Sequence, residues 1–335
     1  MADLTNPNAL GQMITGYWRS QAIYAAAKLG IADLLSDGPR AVDDLAQATS
    51  TKAPWLYRLL RALASVGVFA EDTQGRFELT PLADLLRSDV EGSQRALALM
   101  MGEEHYAVWG QLAHVLRTGE NAFEKLFGQP IFDFMADHPE QGQVFDAAMT
   151  GIHGRETAAM LAAYDFSQFQ TLADIGGGNG TTIARVLQHC PALRGVLFDL
   201  PHVVGRATKT IQSAGVADRC TLVGGSFFES VPQGGDAYLM RHIIHDWDDE
   251  KSLAILRSCQ RAMRAGSKLL VVESVIPPGN GPFQGKFLDL TMMLIPGGQE
   301  RTADEYSRLF DQAGFDLTRI VPTSLEVSVI EGVRR

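Results

Sequence analysis

Between positions 10 and 154 apolar residues recur at helical spacing, most densely over residues 14–35 and 94–116, and few stretches alternate as a half-buried strand does. A mainly helical first domain is predicted. Within it, residues 42–48, a Ser/Thr turn and residues 54–66 predict two helices, with Pro54 suited to a first helical turn. Residues 69–80 follow as a hairpin around Gln74 and Gly75, which gives the winged-helix order. Beyond Gly154 the pattern changes. Short apolar runs at 172–175, 195–199, 220–223, 237–240 and 268–273 alternate with helical segments, so a parallel sheet covered on both faces is predicted. The runs 317–321 and 325–330 are separated by a turn too short for a crossover helix, and the sheet should finish with an antiparallel pair. The fold class is α/β, with a helical domain over residues 1–154 and a sheet domain over residues 155–335.

The whole-chain numbers agree with this division. A chain of 335 residues with 46% hydrophobic content has material for two cores. The net charge of −10 argues against nucleic acid as a partner, because such affinity comes mainly from neutralising phosphates. The second helix of the winged-helix segment carries only Lys52, Arg58 and Arg61 as cations. Trp55, Leu56, Leu59, Leu60, Leu63 and Val66 give it a broad apolar face, suited to packing inside the domain or against a second subunit. Cys190, Cys220 and Cys259 are too widely spaced for a CxxC pair or a secretory framework, which predicts buried thiols. No basic-then-apolar leader opens the chain and no apolar run approaches the ~20 residues of a membrane span, so a cytoplasmic protein without membrane partners is expected.

The candidate chemistry begins at Asp174-Ile175-Gly176-Gly177-Gly178-Asn179-Gly180-Thr181, where an apolar strand ending in an acid runs into a glycine cluster that opens a helix. Glycines permit positive φ and carry no Cβ, so backbone can approach a ligand closely. Counted as GxGxxG from Gly176, the third position is Thr181, and the dinucleotide pattern is absent. A cofactor without a pyrophosphate is expected, S-adenosylmethionine being the candidate. Asp199, followed by Leu200, ends the next strand 25 positions after Asp174, where a carboxylate can accept from two ribose hydroxyls. Ser226 and Phe227, past the third strand, offer a polar group and a ring to adenine.

The fourth strand runs into Arg241-His242-Ile243-Ile244-His245-Asp246-Trp247, which places two histidines at the same rim. An imidazole, with an ordinary pKa of about 6.5, is the expected general base. His245 is preferred, and His242 reads as a core or supporting histidine. Glu273, closing the fifth strand, and Glu300, on a later loop, are the carboxylates expected to orient the ring. His242, His245 and Asp246 also have the separations of a small metal site, but no matching ligands occur elsewhere and no metal is expected.

Taken together, the glycine motif, Phe198-Asp199-Leu200-Pro201, His242-Ile243-Ile244-His245-Asp246-Trp247, Val272-Glu273-Ser274 and Gly297-Gly298-Gln299-Glu300-Arg301-Thr302 resemble the small-molecule O-methyltransferases related to plant caffeate and flavonoid enzymes, hydroxyindole methyltransferase and bacterial antibiotic-tailoring enzymes. The resemblance spans nearly the whole chain. It implies a Rossmann-like class I methyltransferase sheet and an N-terminal domain that dimerises and helps close the partner's substrate pocket. It further implies that Asp174, Gly176 and Gly178 belong to the S-adenosylmethionine loop, with Gly176 against the methionine part. Asp199 and Leu200 then hold the ribose, Ser226 and Phe227 flank adenine, Arg241 sits at the cofactor's edge and Trp247 packs near the base. His245 matches the family's base, with Glu273 and Glu300 bracketing its imidazole, and S-adenosylhomocysteine is the product.

Three positions depart from relatives: Ser226 where many have Asp, and Ile295 and Gln299 where plant members commonly have Asn and Lys. Plant acceptor specificity therefore does not transfer. A hydroxylated aromatic acceptor is suggested by Phe145, Met149 and His153 at helical spacing and by Met292 and Met293, because thioethers adapt to flat rings. Ordinary core or dimer packing accounts for any one of these residues equally well. Two other readings stay open: a cofactor-binding relative with hydroxylase or decarboxylase-like chemistry, and a winged-helix transcription regulator.

Overall fold

A computed structural model describes residues 7–335, with the side chains of Pro7, Ile152 and His153 outside the description. The chain divides into two compact units, each discontinuous in sequence. One comprises the residues up to Ala107 together with His138–Ile152, and the other comprises Val108–Asp137 together with His153–Arg335. This division differs from a single boundary at residue 154. Val108, Val115, Ala122, Phe123, Ile131 and Phe134 share a core cluster with Leu294 and Ile295, which draws the segment 108–137 into the sheet-bearing unit. Among the described residues no helix is long and apolar enough to cross a membrane.

In the first unit the helices Val42–Ala48 and Ala53–Ala64 lie between the first and second strands of a small antiparallel sheet of β1 (Arg40–Ala41), β2 (Phe69–Glu71) and β3 (Arg76–Leu79), ordered β1-β3-β2. Leu56, Leu60 and Leu63, on one face of Ala53–Ala64, are buried against Leu45, Phe69 and Phe77. Each fully buried side chain of this size contributes roughly 1.5–3 kcal/mol. Internal packing therefore accounts for half of the apolar face read from the sequence. Trp55 and Val66 stay exposed, with the guanidinium of Arg58 lying 5.0 Å over the Trp55 ring. The helix expected over residues 14–35 is interrupted at Gly30, whose φ of 66° ends Gly16–Lys28 and starts Ile31–Leu34 afresh. The stretch 94–116 forms three short helices, Arg95–Gly102, Glu104–Trp109 and Leu112–Thr118.

The second unit contains β4 (Thr171–Ile175), β5 (Arg194–Asp199), β6 (Cys220–Gly224), β7 (Ala237–Arg241), β8 (Lys268–Ile276), β9 (Arg301–Thr302), β10 (Phe315–Pro322) and β11 (Val327–Arg334). Their order is β10-β11-β8-β7-β4-β5-β6, with β9 pairing to the end of β8. β4 to β8 are mutually parallel, whereas β11 pairs antiparallel with both β8 and β10. Two apolar clusters cover the sheet's faces, one around Leu172, Leu239 and Leu270 and one around Ala173, Tyr238 and Val271, as the period of two along each strand requires. The strand order reverses at β4, where β5 and β7 lie on either side. Ligands of open α/β sheets bind at such a switch point, beyond the carboxyl ends of the strands.

Candidate active site

β4 delivers Asp174 and then the glycine loop. Gly176, Gly178 and Gly180 have φ of 72°, 58° and 81°, which side chains rarely adopt. Their surroundings differ. A Cβ on Gly180 would press on Leu197 Cδ1 at 3.0 Å and Ile211 Cδ1 at 3.2 Å, one on Gly177 would meet Asp174 Oδ2 at 2.8 Å, and one on Gly176 would overlap Ile243. Gly178 alone of the four has open space there. Gly195 in β5 lies in the same way under Leu187 and Ile183 of the helix Thr181–His189, so the close helix–strand approach is made without the third glycine of the dinucleotide pattern.

Asp199 stitches this loop to β5. Its Oδ2 accepts from the Gly178 N–H at 2.8 Å and its Oδ1 from the Leu200 N–H at 2.7 Å, while the N–H groups of Gly176 and Gly177 donate to the Phe198 carbonyl. Burial raises the pKa of Asp199, and it pushes that of Asp174 up to about 7 against the pull of nearby Arg241. Asp174 Oδ2 is buried without a hydrogen-bond partner beneath Gly177. Beside the loop, Ser226 Oγ accepts from the Phe228 N–H at 3.3 Å, and Phe227 and Phe228 meet Trp247 edge-on at 6.1 and 5.0 Å. Phe132 lies against the same indole at 5.7 Å. Leu200 is exposed. An orphaned buried carboxylate oxygen, an open face at Gly178, a carboxylate at the strand end and an aromatic ledge together fit S-adenosylmethionine.

The chain leaves β7 through His242, which takes a φ of 53°, and enters a 3-10 turn over Ile244–Asp246. His245 sits on this turn with its side chain 7% exposed. Nδ1 lies 2.6 Å from Glu300 Oε1, and Nε2 lies 3.6 Å from Asp246 Oδ1, beyond hydrogen-bond reach. Burial opposes a charge on the ring, but Glu300, Asp246 and Glu273 outweigh it and raise its pKa to about 10. Burial likewise lifts Asp246 to about 6. Glu300 is placed in turn by Asp289, whose Oδ1 accepts from the Glu300 N–H at 2.9 Å.

Of the two carboxylates expected to bracket the imidazole, Glu300 meets the ring and Glu273 does not. Glu273 Oε1 accepts from the backbone N–H groups of Ile243, Ile244 and His245 at 3.1, 2.7 and 3.2 Å, and its Oε2 accepts from the Tyr306 hydroxyl. Strand register explains the difference. Glu273 points from β8 at the backbone leaving β7, whereas Glu300 stands on the loop that leads into β9.

Arg241 and His242 turn toward the helix Pro139–Ala163. Arg241 Nη1 donates to Thr157 Oγ1 at 2.7 Å, and His242 Nε2 lies 2.8 Å from Glu156 Oε2. Burial raises the pKa of Glu156, but His242, Arg241 and His245 outweigh it and hold the carboxyl below its usual range. Met293 packs beside the cluster of Val108, Phe123 and Leu294, while the Met292 carbonyl caps its helix by accepting from Gly297 and Gly298. Phe145 and Met149 are half-buried, one turn apart in the first unit, and the His153 side chain lies outside the described residues. Among the described residues no group of three His, Cys, Asp or Glu is arranged to hold a metal ion. Sequence reasoning missed Glu156, Asp289 and Tyr306, and it gave Arg301 no role.

The chain matches two family models, an O-methyltransferase domain over residues 109–316 and an O-methyltransferase dimerisation domain over residues 12–89. It is 51% identical over 320 residues to a phenazine O-methyltransferase of Lysobacter antibioticus, covering 96% of this chain and 94% of that protein. It is 32% identical over 338 residues to a phenazine-1-carboxylate N-methyltransferase of Pseudomonas aeruginosa, covering 99% of each. Its fold is similar to that of an O-methyltransferase from neocarzinostatin biosynthesis, solved with S-adenosylmethionine and 2-hydroxy-5-methyl naphthoic acid. The TM-score there is 0.83 at 31% identity, over 95% of this chain and 96% of that one.

Proposed function

The chain belongs to the S-adenosylmethionine-dependent O-methyltransferases that act on small aromatic acceptors, and on that premise we propose that His245 removes the acceptor's hydroxyl proton. The bound cofactor supplies an activated methyl group on a sulfonium. This chain's residues supply position and proton removal. The observation that carries the reading is the Nδ1 contact with Glu300 at 2.6 Å, on the same sheet rim as the glycine loop. With its proton on Nδ1 donated to Glu300, the ring presents Nε2 as the acceptor.

We assign a phenolic hydroxyl on a fused aromatic frame as the acceptor group, in keeping with the phenazine and naphthoic acid named for relatives.

On the cofactor side, Asp174, Gly176, Gly178, Asp199, Leu200, Ser226, Phe227, Arg241 and Trp247 are the residues assigned to hold S-adenosylmethionine. Gly178 and Asp199 do so most directly, because one offers an open face and the other a carboxylate whose remaining lone pairs suit ribose hydroxyls. Met292 and Met293 are assigned to the acceptor. The protein acts as a homodimer through the segment 12–89, where Met13, Ile14, Tyr17 and Trp18 are exposed apolar residues.

The test is His245→Ala. Methyl transfer to a phenol or phenazine panel should fall at least ~10²-fold, the low end for a lost general base, with cofactor affinity by calorimetry unchanged. Full activity in that variant sinks the base assignment.

A further inference from the structure

The 3-10 turn that carries His245 is held on both its polar sides by residues that never touch the imidazole. On one side a single carboxylate oxygen, Glu273 Oε1, collects three consecutive N–H groups, and the Tyr306 hydroxyl fixes the other oxygen of that carboxylate. On the other side Arg301, 1% exposed, spreads its guanidinium over the carbonyls: Nη1 donates to the Ile244 carbonyl at 3.1 Å and Nη2 to the Trp247 carbonyl at 3.0 Å. Its Nη2 also reaches Ser252 Oγ at 3.1 Å and Asp249 Oδ1 at 2.9 Å. The His245 carbonyl accepts from the Gln299 N–H at 2.9 Å. Gly298 lies flat on this carbonyl, and a Cβ there would overlap it.

A short 3-10 turn has poor internal hydrogen-bond geometry and little rigidity of its own. Two buried, oppositely charged side chains aimed at the N–H and C=O poles of one turn, and meeting at the Ile244–His245 peptide, are a costly arrangement unless the turn's placement matters. Arg301 follows Glu300 directly, so the residue gripping the ring and the residue gripping the turn share one peptide bond.

We propose that Arg301 and Tyr306 are positioning residues for methyl transfer: Arg301 through the carbonyls and Tyr306 through Glu273 hold the turn so that the imidazole of His245 stays aligned with Glu300. This rests on the reading of His245 as base. Both side chains are buried, so their effect appears in the ring's alignment and in turnover rather than in binding. A misplacement of a reacting group by about 1 Å can cost as much as 10²-fold in rate.

The test compares Tyr306→Phe, Arg301→Lys and His245→Ala in the full-length protein, with His245 followed by NMR on ¹⁵N-histidine-labelled material. Tyr306→Phe removes one oxygen and keeps the ring volume, and Arg301→Lys keeps the charge but cannot span two carbonyls. Both should lower kcat about 10-fold to 100-fold, leave KM for the acceptor and Kd for the cofactor within about twofold, and shift or broaden the His245 Nδ1–H resonance. Wild-type kcat and an unchanged resonance in Tyr306→Phe overturn the proposal, and that variant decides alone should Arg301→Lys not fold. Full activity in His245→Ala instead removes the base reading beneath it. An inactive His245→Ala beside two fully active variants removes only the positioning roles.

Discussion

Glu273 touches His245 through the backbone N–H, at 3.2 Å, and leaves the imidazole to Glu300. One carboxylate therefore carries the turn and the other the ring, and their substitutions should separate. Glu273→Gln weakens three charge-assisted bonds to neutral ones, a loss of about 2–4 kcal/mol of stability. Thermal unfolding of this variant should show a lowered Tm along with reduced kcat, whereas Glu300→Gln should affect the rate profile first.

The pH dependence of that second variant has a definite sign. The His245 pKa is raised to about 10 because Glu300, Asp246 and Glu273 outweigh burial. The neutral ring that accepts a proton therefore grows as pH rises above 7, and kcat/KM should climb through the alkaline range. Removing the Glu300 charge lowers the inflection toward the ordinary value near 6.5. Stability follows the same linkage: a histidine raised in the folded state contributes fully below about 6.5, and the contribution is lost as pH rises through 10. Glu300→Gln should flatten the fall of Tm across that window. An inflection that stays in place contradicts the assigned contact.

The glycine loop offers a cleaner separation of folding from ligand binding. Gly180→Ala would force a positive-φ residue against Leu197 and Ile211, and a loss of roughly 1–3 kcal/mol is expected. Gly178→Ala meets open space and should cost only about 1 kcal/mol for its φ. Cofactor titration should nevertheless find binding weakened at least ~10-fold in the Gly178 variant, since the added methyl stands on the open face. Equal affinity for cofactor in the wild type and Gly178→Ala would remove that glycine from the site.

Far from this rim, Glu331 on β11 accepts from Tyr164 at 2.5 Å, Thr318 at 2.7 Å, Arg319 at 2.9 Å and Lys268 at 3.1 Å. Burial raises its pKa, but these donors outweigh burial and bring it to about 2. A carboxylate depressed in the folded state contributes stability above its unfolded pKa, and that stability is lost as pH falls toward the folded value. Glu331→Gln should cost about 3 kcal/mol at pH 7. Chemical denaturation at pH 7, 4 and 2.5 should show the difference shrinking. A constant difference means the charge is not what these donors recognise.

Much of this arrangement was legible from residue order. Apolar runs bounded by Gly, Asp and Pro marked each parallel strand to within a few residues, because a strand buried on both faces leaves a dense local signal. The rim followed from the same logic: Asp174, Asp199 and the residues after β7 stand at strand ends, and a parallel sheet puts those ends together. What the sequence could not give is how side chains turn once there. Tyr306 falls on the apolar face of the helix Ala303–Ala313 with Leu309 and Phe310. Its spacing reads as plain core, and its hydroxyl finds Glu273 only in three dimensions. Glu156 is equally silent, since a carboxylate on a long helix normally faces water and its partner His242 is 86 positions away. The segment 108–137 misled for a related reason. Its helical periodicity matches the residues before it, and only its contacts with Leu294 and Ile295 assign it to the other unit.

The adjacency of Glu300 and Arg301 bears on how such a protein diversifies. Because one dipeptide contacts both the turn's carbonyl and the imidazole, the proposed base and its proposed support are joined in a single stretch of chain, as a preassembled cartridge. On the proposed roles, residues elsewhere that meet the acceptor can be rewritten for new molecules while this pair is inherited intact.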